Sequence, residues 1–165
     1  MQAFLNWFNA TLGQHISPEL SVLLVSMLPV IEERGGLILA KMLMIPLWRG
    51  AIFCIIGNII PVPFVLLGIK KLMHWMRDHH LGGFVGWLEG RVEKNKDSIE
   101  KYGFWGLMLF VGIPLPGTGA WTGSMIAAVL DMDVKKASVA VFLGVLLAAV
   151  IMCIVSYGGL GLILG

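Results

Sequence analysis

Apolar residues in this chain run in long unbroken stretches rather than alternating with polar ones. From Gly50 to Ile69, from Tyr102 to Leu130 and from Ala137 to Gly165 there is no Asp, Glu, Lys or Arg. A helix needs about 20 apolar residues to cross a hydrocarbon core about 30 Å thick, so each stretch is long enough to reach across a bilayer. The pattern predicts an all-α integral membrane protein, folded as a single membrane domain over residues 1–165.

Two stretches cannot be plain spans. Leu20–Ile31 offers 12 uncharged residues and then meets Pro29-Val30-Ile31-Glu32-Glu33-Arg34-Gly35-Gly36. A straight helix would strand three charges near mid-membrane, where each costs about 2.5–3.5 kcal/mol even on a lenient scale. Pro29, Gly35 and Gly36 weaken a helix at the same place. A re-entrant hairpin is therefore expected, Leu20–Leu28 in and Leu37–Ile45 out, because irregular backbone at membrane depth is tolerated where it is buried in protein or lines a cavity. Tyr102–Ile113, then Pro114-Leu115-Pro116-Gly117-Thr118-Gly119, then Ala120–Leu130 predicts a second hairpin. The conventional alternative keeps four straight spans and a buried ion cluster.

The halves superpose at an offset of 87 residues: Pro29 on Pro116, Gly36 on Gly123, Ala40 on Ala127, Arg49 on Lys136 and Gly57 on Gly144. Each half then reads as hairpin, basic connector and spanning helix, over 17–69 and 102–165. Residues 1–16 suit a helix lying at the interface, and 70–101 a polar segment containing an amphipathic helix over Phe84–Lys101. If the hairpins return to the side they left, Lys41 and Arg49 lie on one side, while nine basic residues between Lys70 and Lys136 lie on the other. By the positive-inside rule the second side is cytoplasmic. The halves then enter from opposite faces as inverted repeats, the plan of secondary transporters with a site near the midplane.

Composition narrows the function. Of 165 residues, 58% are apolar and 13% charged, with a mean hydropathy of +0.87, against a globular norm of about 45–50% and about 25%. There is no phosphate-binding G-x-x-x-x-G-K-[ST] loop, so no nucleotide engine is expected. A net charge of +2 gives no sign of nucleic-acid binding. Cys54 and Cys153 are expected as buried small side chains. His74, His79 and His80 with Asp78 read as a solvated basic segment, and neither a metal nor another cofactor is expected. Trp7, Trp48, Trp75, Trp87 and Trp105 fall near predicted boundaries, as interface anchors do. No Ser/His/Asp or Cys/His set points to an enzyme.

Pro29–Gly36, Gly57-Asn58-Ile59-Ile60-Pro61-Val62-Pro63 and Ile113–Gly123 resemble the small multidrug export proteins, a prokaryotic membrane family, over nearly the whole chain. That family is in turn similar to the DedA superfamily, for which the resemblance implies paired re-entrant hairpins and movement of lipids, polyprenyl phosphates among them. The resemblance maps the family acid onto Glu32. It has an apolar residue where this chain has Glu33, and often a proline at Ile38.

Candidate binding residues follow from chemistry. Glu32 at depth could carry a coupling proton or hold the hairpin with Arg34. Arg34 offers a planar fork for phosphate or carboxylate. The start of the limb at Ala120, with Gly117, Thr118 and Gly119 before it, offers backbone N–H groups to an anion. Glu33, Asn58, Trp121 and Thr122 could line the same cavity or serve packing. Pro29, Gly35, Gly36, Pro61, Pro63, Pro114, Pro116 and Gly123 are the expected hinges. The leading expectation is a small transporter or flippase in the prokaryotic cytoplasmic membrane, moving an amphipathic anion, a polyprenyl or other lipid phosphate, with protons as a coupling ion. The alternatives are a proton-coupled exporter of cationic drugs and a non-transporting scaffold. Membrane lipids and further copies of the chain, a dimer first, are the expected partners.

Overall fold

The computed structural model describes residues 15–159 apart from 30, 79–81 and 116. Among the described residues it is helical, without strands. The predicted interfacial helix over 1–16 falls outside them except for its last two residues, and so do Pro116 and the final six residues.

Helix α1 spans Pro18–Ser26 and starts where the sequence says it should: Ser17 accepts the Leu20 N–H at 3.2 Å and Pro18 takes a first-turn position. Helix α2 spans Glu32–Met42. Between them the chain breaks at Met27–Ile31 around Pro29, which cannot donate a helical hydrogen bond. Helix α3 spans Leu47–Ile59, and Arg49 in its first turn pairs with Glu19 of α1 at 3.4 Å. The starts of α1 and α3 thus share one end of the molecule, so α1 and α2 are the two limbs of a hairpin that returns to the end it left. Helix α4, Val62–Asp78, continues α3 through Ile60 and Pro61. Leu47–Ile69 is 23 residues long and apolar enough to span a membrane.

Helix α5, Gly82–Gly112, is two helices joined at Gly103, whose φ of +55° and ψ of −124° interrupt it. Only glycine enters such conformations without a Cβ penalty. The first part buries Val85, Val92 and Ile99, seven residues apart on one face. That face fits the expected amphipathic helix, whose surface pairs Lys96 with Glu93 at 2.7 Å and sets Lys101 over the Tyr102 ring. The second part leads into the irregular segment 113–119 and then helix α6, Ala120–Val129. Val129, Met73 of α4 and Val92 line one groove. The end of α6 therefore lies near the far end of the α3–α4 rod, away from Arg49. Helix α7, Val134–Cys153, is capped by Asp133 accepting the Lys136 N–H at 2.9 Å and runs into a π-helix, Ile154–Gly159. Val134–Ser156 is the second span of membrane length.

The two hairpins end in the same hydrogen bonds, 87 residues apart. Met44 donates to the Lys41 carbonyl and Ile45 to that of Ala40; Asp131 donates to Ala128 and Met132 to Ala127. Met44 and Asp131 carry positive φ, +59° and +53°. Both ends are Schellman caps, with a non-glycine residue in the left-handed position.

One core cluster gathers α4, α5, α6 and α7, and a second gathers Val22, Leu37, Ala40, Cys54 and Met152 from α1, α2, α3 and α7. Helix α7 serves both. It buries Ala137, Ala140, Gly144, Ala148 and Ala149 on one face, small residues that let helix backbones approach closely.

Candidate functional site

The break in the first hairpin faces the irregular segment of the second, and the two are stitched in both directions. Glu32 opens α2 with φ +50°, in the left-handed region that non-glycine residues avoid. Its carboxylate reaches across to the start of α6, where Oε2 accepts the Ala120 N–H at 3.2 Å and Oε1 the Trp121 N–H at 3.1 Å. Gly119, the residue before α6, has φ +137°, and a Cβ there would overlap the Glu32 carboxylate. The expected anion site at this helix start is thus geometrically present, and its occupant is the protein's own carboxylate. Orphan N–H groups and the positive end of the dipole account for the fit.

Arg34 works the other way. Its Nη1 donates to the Leu115 carbonyl at 2.6 Å and its Nη2 to Thr118 Oγ1 at 2.9 Å. Thr118 organises the segment: its Oγ1 accepts the Leu115 N–H at 3.2 Å and lies 2.8 Å from the Ile113 carbonyl and 2.9 Å from that of Leu115. Trp121 adds a third tie, its Nε1 donating to the Met27 carbonyl at 3.1 Å, a group at the C-terminal end of α1. Glu32 and Arg34 are therefore both partners of the opposite hairpin, the one accepting from its N–H groups and the other donating to its carbonyl and hydroxyl.

Glu33 points elsewhere. It is 2% exposed and lies on the side of Asn58 and Cys54 of α3 and Cys153 of α7. Adjacent residues diverge by about 100° around a helix with 3.6 residues per turn, so one turn of α2 sends one carboxyl to the second hairpin and the other into the first half. Its Oε2 has no hydrogen-bond partner among the described residues, and neither polar atom of Asn58 has one.

The remaining expected residues sort by position. Thr122 is buried in α6. Pro29 lies in the first break and Pro114 in the second, Pro61 joins α3 to α4, and Pro63 sits in the first turn of α4. Gly117, with φ +88°, belongs to the irregular segment. Gly35, Gly36 and Gly123, expected as hinges, lie instead inside α2 and α6. The unwinding falls before Glu32, at Pro29, so Glu32, Glu33 and Arg34 form the first turn of a helix rather than an unwound tip. Gly36 and Gly123 serve close approach: a Cβ on Gly36 would overlap Ser26 Oγ and lie 2.9 Å from Cys54 Sγ, and one on Gly123 would lie 2.6 Å from Val111.

Two apolar grooves flank the stitched region. One of about 330 Å³ runs past Trp105, Leu109 and Phe110 to Leu115 and Thr118, the partners of Arg34. The other, about 300 Å³, lies among Met27, Ile60, Pro61, Phe64 and Trp121. Among the described residues no three His, Cys, Asp or Glu side chains converge as metal donors; the expected readings of His79 and His80 lie outside those residues.

Residues 32–151 match the family described as "Putative small multi-drug export protein". The chain belongs to this family. The match begins at Glu32 and takes in Arg34, the irregular segment 113–119, Asn58 and all of α2 to α6. With two apolar helices of spanning length, this member of the small multidrug export family is a membrane protein. No curated protein and no solved structure matches the chain.

Proposed function

We propose that the chain is a secondary transporter that exports an amphipathic cation through the region where its two hairpins meet. One observation carries this choice of substrate. The groups suited to an anion, the Arg34 fork and the N–H groups opening α6, are already engaged by Leu115, Thr118 and Glu32, whereas Oε2 of the buried Glu33 carboxyl has no hydrogen-bond partner among the described residues. The apolar grooves beside Trp105 and Trp121 offer surface to the rest of such a molecule, and the family description speaks of multidrug export. A lipid phosphate is the second reading. It is favoured by Arg34 Nε, buried and unpartnered, and by the groove that ends on Thr118.

In this reading the hairpins are re-entrant, and the halves are inverted repeats in a prokaryotic cytoplasmic membrane, with the segment after α4 cytoplasmic. The Glu19–Arg49 pair at one end and the Val129 groove at the other support opposite entry. A kinship with the DedA superfamily would imply the same plan. The limbs of the first hairpin, 9 and 11 residues, reach about 14 and 17 Å at 1.5 Å per residue, so a second copy of the chain is proposed to cover it. Transport of this kind needs no catalytic residue and no cofactor.

Reconstitution in liposomes tests the reading, following a cationic dye and a fluorescent lipid phosphate with and without a pH gradient. The dye should move, and Glu33→Gln should stop it. Lipid phosphate alone moving, and stopping in Arg34→Ala, would establish the second reading; movement of neither rejects transport.

A further inference from the structure

Glu33 and Asn58 are two neighbouring polar side chains, 2% and 1% exposed, and among the described residues Oε2 of the one and both Oδ1 and Nδ2 of the other have no hydrogen-bond partner. The groups that face Glu33 can be named element by element. Its own helix brings Glu32 and Arg34, α3 brings Asn58 and Cys54, and α7 brings Cys153. Beside Cys54, helix α1 contributes the hydroxyl of Ser26, which bonds the Val22 carbonyl. The one cation in this set, Arg34, spends both terminal nitrogens on the second hairpin.

An ionised carboxylate buried with one oxygen unsatisfied is costly, and gaining a proton removes that cost. Asn58 is suited to both forms. Its carbonyl oxygen accepts from a protonated carboxyl, and its amide donates to an ionised one, so a small rotation accommodates either. A metal ion would instead require several oxygen donors around one point, and one carboxyl with one amide does not supply them.

We propose that Glu33 and Asn58 form an exchangeable proton site, and that Glu32, assigned to the α6 N-terminus, is a structural anion. A proton from water on one side forms the Glu33 O–H bond; that bond later breaks, returning the proton to water on the other side and leaving the carboxylate on the Asn58 amide. Exchange between sides rests on the transport reading, whereas proton binding does not.

The full chain in lipid vesicles would be treated with dicyclohexylcarbodiimide, which adds to protonated carboxyls in apolar surroundings, and the adduct located by mass spectrometry. The expected result is an adduct on Glu33 that declines with rising pH, by about tenfold per unit once the group has titrated. An adduct confined to Glu32, a yield independent of pH, or suppression by sodium at fixed pH would each overturn the proposal. Asn58→Leu keeps the carboxyl, and the pH of half-labelling should move by about one unit or more; an unmoved midpoint removes Asn58 from the site. Labelling as expected in vesicles that move neither dye nor lipid phosphate leaves the site standing and rejects transport instead.

Discussion

Two adjacent glutamates have opposite roles, and stability separates them. Glu32 satisfies two N–H groups at a helix start, and a hydrogen bond to a charged group contributes about 1.5–3 kcal/mol. Glu32→Gln should therefore destabilise the fold by about 1–3 kcal/mol, read from denaturant unfolding in detergent micelles. Glu33→Gln removes a buried acid whose Oε2 has no hydrogen-bond partner among the described residues and should be neutral or mildly stabilising; a greater loss from Glu33→Gln than from Glu32→Gln would contradict the assignment. Glycines divide in the same manner. A Cβ on Gly57 would overlap the Leu23 carbonyl, while one on Gly68 meets nothing within 4 Å. Gly57→Ala is expected to cost about 1–3 kcal/mol, and Gly68→Ala to stabilise by about 0.5–1 kcal/mol, in the same unfolding measurement. Residue types alone made Glu32 and Glu33 equivalent, because the difference lies in which way each side chain leaves α2.

At the scale of elements, the breaks were legible and their registers were not. Pro29 and the run Pro114–Gly119 announce interruptions in any helical reading, since proline lacks the N–H and glycine lacks the Cβ. The first break falls at Met27–Ile31, before Gly35 and Gly36, because helical glycines are tolerated where neighbouring side chains press close, Ile31 on Gly35 and Ser26 and Cys54 on Gly36. The Schellman caps carried no glycine signal at all, for Met44 and Asp131 hold the left-handed positions. A left-handed non-glycine residue costs roughly 1–2 kcal/mol. Met44 is largely exposed, so Met44→Gly should raise stability by about 1 kcal/mol, seen as a higher unfolding midpoint with an unchanged slope; a lower midpoint would mean that the side chain has contacts of its own.

For the whole molecule, the offset of 87 residues that aligned a few identical residues also aligns helix ends, caps and positive-φ residues. The connector at Lys41 belongs to one end and that at Lys135 to the other. In vesicles, Lys41→Cys and Lys135→Cys should react with a membrane-impermeant thiol reagent from opposite sides. Reaction of both from one side would rule out inverted halves. The native Cys54 and Cys153 must be absent from both variants, Cys54 being buried and Cys153 partly so.

The sequence by itself determined the helical membrane class, the places where helices break and the repetition of one plan, because hydrophobic length, proline and charge act locally along the chain. Only the tertiary structure decided which groups are spent and which are left. The carboxylate of Glu32 and the N–H groups of Ala120 and Trp121 are 88 and 89 residues apart, and no local rule pairs them. Their union, with that of Arg34 to Leu115 and Thr118, closes the anion site that residue types had suggested and isolates Glu33 beside Asn58. The reason is geometric: where the two hairpins meet, the second presents its orphan backbone groups to the charges of the first.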